Sequence, residues 1–140
     1  MSQHDFQVTY DSALGVEMLF QKLADHNQMG KILGAPIRRI TDGDKDVNGV
    51  GSVRRIGLGP LTVLEETVTA YQPHKLIEYT ITRGPSFILH SHKGTLNFKT
   101  TGKGAQVVWR IRFDAPIPGV GALLEKVLGS ALERGLKRLG

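Results

Sequence analysis

Five residues of this 140-residue chain have chemistry that an apolar interior rarely tolerates, and strand parity turns all five inward: Arg54, Glu66, Tyr79, His90 and His92. Successive side chains of a strand point to opposite faces, so each residue shares a face with its second neighbours. Ile56 and Leu58 carry Arg54 inward, Leu64 and Val68 carry Glu66, and Ile77 and Ile81 carry Tyr79. Leu96 and Phe98 do the same, through Gly94, for His92 and His90. Trp109 joins them, because Val107, Trp109, Ile111 and Phe113 alternate with Val108, Arg110, Arg112 and Asp114. A guanidinium, a carboxylate, a phenol and an imidazole in apolar surroundings could orient the polar end of a bound molecule. They could also do acid–base work: Tyr79 or His92 would move a proton at a carbonyl while Arg54 steadies negative charge.

Turn lengths narrow the neighbours. A three-residue loop at Gly59-Pro60-Leu61 sets Arg54 opposite Glu66, whereas a two-residue loop breaks that pairing. A loop from Gly84 to Phe87 sets Tyr79 opposite His92. The alternative is that these groups satisfy one another in an ordinary core. Phe87 and Ile88 follow a loop and are candidates to guard a pocket mouth, or else begin a strand that packs on a helix.

Other chemistries fail on spacing. His90 and His92 lie two apart, but a metal site needs a third ligand, and Arg54 competes for Glu66. No metal or other cofactor is expected. Asp42, Asp44 and Asp46 alternate like a calcium loop, yet Val47 and Val53 stand where glycine and a bidentate glutamate belong. Gly49-Val50-Gly51 leads into a strand and presents no helix amides to a phosphate. Ser91 lacks a glycine-flanked elbow, and there is no cysteine.

The elements that must position these residues follow in order. Phe6 to Tyr10 alternates as a strand; Asp11 and Ser12 offer caps to a helix through Val16, Leu19, Phe20 and Leu23. Asn27 to Leu33 makes a second short helix, stopped at Gly34-Ala35-Pro36. Ile37 to Ile40, Ser52 to Leu58, Leu61 to Tyr71, Lys75 to Arg83, Ile88 to Lys99 and Val107 to Phe113 read as strands joined by short turns, hence an antiparallel meander. Val120 to Leu139 is one long amphipathic helix, apolar at three- and four-residue steps and charged opposite. Its apolar side, with Leu124, Val127 and Leu128, would form the second wall of a ligand pocket.

This order, with Leu23-Ala24-Asp25-His26-Asn27-Gln28-Met29-Gly30, Gly49-Val50-Gly51-Ser52-Val53-Arg54-Arg55, Gly94-Thr95-Leu96 and Val108-Trp109-Arg110-Ile111, resembles the START-like SRPBCC superfamily, the polyketide cyclase/dehydrase and lipid transport group. The resemblance covers the whole chain. It implies an α+β helix-grip fold, one domain over residues 1–140, in which a curved antiparallel sheet wraps the long C-terminal helix. It also implies a small hydrophobic ligand such as a lipid, polyketide or aromatic metabolite, or alternatively a metal-free cyclase or dehydratase.

Composition bounds the rest. Forty per cent hydrophobic and 22% charged residues suit a globular domain. The net charge of +5 raises nucleic acid or an anionic surface as partners, but the basic residues come in scattered pairs, so no nucleic-acid role is expected. A third alternative is a protein that meets its partner through this basic exterior. No segment is apolar enough to span a bilayer, and the first ten residues lack a signal-peptide pattern, so a cytoplasmic location is expected.

Overall fold

A computed structural model describes residues 2–59, 62–84 and 90–139. Seven strands form one antiparallel, curved sheet in the order β1-β7-β6-β5-β4-β3-β2. They are β1 (Ser2–Ser12), β2 (Ile37–Thr41), β3 (Val53–Gly59), β4 (Thr62–Gln72), β5 (Leu76–Arg83), β6 (His90–Thr101) and β7 (Gly104–Ala115). Each strand from β2 to β7 pairs with the next in sequence, as short turns require, and β1 closes onto β7. The helices are α1 (Val16–Ala24), α2 (His26–Leu33) and α3 (Val120–Leu139). The expected helix-grip architecture is the one observed.

Local chemistry sets the helix ends. Asp11 and Ser12 do not cap α1: β1 runs through both, and the Ser12 hydroxyl accepts from the Leu14 amide at 3.0 Å in the turn that follows. Gly15 holds the N-cap position without a side-chain bond. Asp25 caps α2 by accepting from the Asn27 amide at 2.9 Å, and the helix starts at His26, one residue earlier than expected. Gly34, at φ 68°, ends α2 in the left-handed conformation that glycine adopts without strain.

The core lies between the inner face of the sheet and the three helices. Leu19, Phe20 and Leu23 of α1, Met29 and Ile32 of α2, and Leu132 and Leu136 of α3 are buried against Val8, Leu96, Phe98, Val107, Trp109, Ile111 and Phe113. Helix α3 packs on β1 and α2, with lesser contact to β7. Two glycines allow the approach. A Cβ at Gly135 would stand 2.2 Å from the Ile32 carbonyl oxygen, and one at Gly121 would meet the His4 ring. His4 stacks on Phe113 at 5.2 Å and reaches Glu125 of α3 at 3.2 Å, tying β1 to the helix. No described helix is long and apolar enough to cross a membrane.

Candidate functional site: a polar strip across the sheet

The inner face of the sheet carries a polar strip that crosses five neighbouring strands, from Arg54 on β3 through Glu66, Tyr79 and His92 to Trp109 on β7. Arg54 and Glu66 are register partners, but the expected three-residue loop is not what aligns them: Gly59 pairs with Thr62, and a register shift between Gly57 and Gly59 restores the pairing. The Arg54 Nε donates to Glu66 Oε1 at 2.7 Å, and its second terminal nitrogen lies 2.7 Å from the same oxygen. With the two residues only 4% and 7% exposed, the pair is a buried salt bridge. Such a pair adds little net stability, but loss of one partner strands a charge and costs about 3–5 kcal/mol.

Tyr79 is the hub. Its strand partner is Gly94, not His92 as the sequence had suggested; His92 lies two residues along β6, with ring centroids 5.5 Å apart. The Tyr79 ring lies across β6 directly over Gly94, where a Cβ would stand 2.1 Å from the ring. Neighbouring strands are roughly 4.8 Å apart, so a phenol on β5 reaches β7 only if β6 presents no side chain in between. Gly94 supplies that gap, and the Trp109 indole on β7 donates to the Tyr79 hydroxyl at 2.9 Å. The Arg54 guanidinium carbon sits 4.6 Å from the ring centroid, in cation–π contact from the other side.

Burial governs protonation in the strip. It pushes the Tyr79 phenol above its usual range; Glu66 adds to this, while Arg54 and the Trp109 hydrogen bond work against it. Burial also holds the His92 imidazole down, with Glu66 pulling it up and Arg54 pushing it further down. Both groups are therefore neutral at pH 7. His92 Nδ1 is buried without a hydrogen-bond partner among the described residues.

Two expected members lie elsewhere. Between His90 and Lys93 the β6–β7 register shifts, and Ser91 takes φ 51°. This bulge places one extra residue in β6, so parity read from Leu96 fails beyond it. His90 pairs with Asp114, on the opposite face from buried Phe113, and its expected inward position is corrected. Val127 is 55% exposed and does not line the interior, because the buried arc of α3 runs through Gly121, Leu132, Gly135 and Leu136. Leu124 is half-buried against the core and Leu128 is half-buried. Phe87 and Ile88 lie outside the described residues.

His26 is a further buried polar residue, outside the expected set. It is buried at the start of α2, with Nε2 2.8 Å from the Ser52 hydroxyl and Nδ1 without a hydrogen-bond partner among the described residues. Burial first, then Arg54 and Arg39, lower its pKa to about 3. A partial signal was present: His26 and Met29 stand three residues apart, on one stripe of α2. Among the described residues, no three His, Asp or Glu side chains are grouped to hold a metal ion.

A seven-stranded antiparallel sheet closed over a long C-terminal helix defines the helix-grip class. Residues 3–140 match the family described as polyketide cyclase / dehydrase and lipid transport, and the chain belongs to that family. No curated protein sequence matches it. Among solved structures it is similar to the di-domain ARO/CYC StfQ from the steffimycin biosynthetic pathway, at TM-score 0.76 and 20% identity over 98% of this chain and 49% of that one. It is also similar to Ara h 8.0201, at TM-score 0.72 and 18% identity over 99% and 97% of the two chains. Norcoclaurine synthase from Thalictrum flavum gives TM-score 0.70 and 13% identity over 99% and 86%. At these identities the likeness is one of fold.

Proposed function

We propose that the protein binds a small hydrophobic molecule between the inner face of the sheet and α3, with Arg54, Glu66, Tyr79 and His92 around its polar end. The observation that carries this reading is the buried His92 Nδ1, which has no hydrogen-bond partner among the described residues although it lies beside a bonded network. Buried polar atoms are nearly always satisfied, and an orphan on the inner face of such a fold is an atom suited to a ligand. Family membership supports the reading, and so does the fold-level likeness to a norcoclaurine synthase solved with dopamine and hydroxybenzaldehyde, two small aromatic molecules. Native mass spectrometry of freshly purified protein is expected to show a bound small molecule that is released on denaturation. The bare protein mass, together with no heat of binding for any apolar ligand, would overturn the reading.

One observation favours catalysis as a second reading. His92 and Tyr79 stand side by side, ring centroids 5.5 Å apart, the arrangement a base and an acid working on one substrate require. On that reading His92→Ala or Tyr79→Phe lowers turnover of a carbonyl substrate by far more than it weakens its binding.

A further inference from the structure

The geometry points to a ligand that is uncharged and carries a hydroxyl or carbonyl oxygen, with carboxylates excluded; this rests on the ligand-binding reading above. Arg54 is the single cation of the strip and Glu66 its single anion, and they face each other at 2.7 Å. Their charges cancel, so a ligand meets an interior with no net charge to offset its own. An incoming carboxylate would be stripped of water next to Glu66 and would have to compete with it for a guanidinium already engaged. An incoming ammonium would meet the same problem with Arg54.

Hydrogen-bonding capacity then specifies the group. Both Arg54–Glu66 contacts fall on Oε1, and among the described residues Oε2 accepts no hydrogen bond. The Tyr79 oxygen accepts from Trp109, so its own proton is left to donate. His92 Nδ1 is a third open position. The strip thus offers one acceptor, one donor and one imidazole nitrogen that can be either. A hydroxyl satisfies this set by donating to Glu66 Oε2 and accepting from Tyr79, and a carbonyl satisfies the donor side. A hydrocarbon leaves every one of these groups unpaired, and a site with open polar groups discriminates strongly against a ligand that cannot bond them.

Calorimetric titration with three ligands on one ring skeleton tests the inference: naphthalene, 2-naphthol and 2-naphthoate at pH 7. The wild-type protein is expected to bind 2-naphthol at least about tenfold more tightly than naphthalene, and 2-naphthoate more weakly than either. Tyr79→Phe is expected to lower 2-naphthol toward the naphthalene affinity. Glu66→Gln, which leaves Arg54 uncompensated, is expected to reverse the order so that 2-naphthoate binds best. If 2-naphthoate binds the wild type as well as 2-naphthol, or 2-naphthol no better than naphthalene, the inference falls while ligand binding stands. If none of the three binds and native mass spectrometry shows only the bare protein, the ligand-binding reading falls and takes this inference with it. The wild-type series decides even where Glu66→Gln fails to fold.

Discussion

Two buried histidines couple the stability of the protein to acid. His26 has a folded pKa of about 3 against about 6.5 for an exposed imidazole, and burial lowers His92 in the same direction. A group with a depressed folded pKa contributes stability that is complete above its unfolded pKa and is lost as pH falls toward the folded one. Urea unfolding is therefore expected to hold steady near pH 7 and to weaken below about pH 6.5, by up to about 1.4 kcal/mol per pH unit for each histidine. Protonated carboxylates add to the acid loss, so the informative comparison is with His26→Gln, whose amide can still bond Ser52. A variant with the same acid slope as the wild type would contradict this account. At this scale parity served well for Arg54, Glu66, Tyr79, His92 and Trp109, because each shares a strand with apolar residues that had to face inward. It failed for His90, since nothing in the string His90-Ser91-His92 announces a bulge.

Helix α3 depends on what glycine leaves out. Alanine is favoured over glycine within a helix by about 1 kcal/mol, so Gly135→Ala would stabilise an isolated α3. In the protein that methyl group would stand 2.2 Å from the Ile32 carbonyl oxygen of α2, a backbone atom that cannot swing aside. Overpacking of this kind costs typically about 1–3 kcal/mol, which exceeds the propensity gain. Gly135→Ala is expected to lower the melting temperature by several degrees; a higher one would show that α2 and α3 separate easily. The elements themselves were legible because their apolar spacing switches cleanly from two to three or four. Their ends were less so: β1 extends from Ser2 to Ser12 where alternation marked only Phe6 to Tyr10, because pairing with β7 extends it past its own pattern.

For the molecule as a whole, the net charge of +5 and the proposed interior make opposite predictions about salt. Several cations on the outer surface are already paired, among them Arg55 with Glu65, Lys93 with Glu78 and Arg110 with Asp5. Binding through exposed cations should weaken steeply between roughly 50 and 200 mM salt, whereas an uncharged ligand held inside should respond little. Titration of 2-naphthol at both concentrations is expected to return the same affinity within about twofold. A steep loss would favour the basic exterior. The sequence by itself determined the class of fold, the order of its elements and the inner face of most strands, because periodicity and turn residues are local properties of the chain. Only the tertiary structure decided that Tyr79 crosses Gly94 to reach Trp109, that His90 faces outward and that Val127 lies exposed. These depend on a bulge, a missing side chain and the angle at which α3 settles on β1, each fixed by packing between residues far apart along the chain.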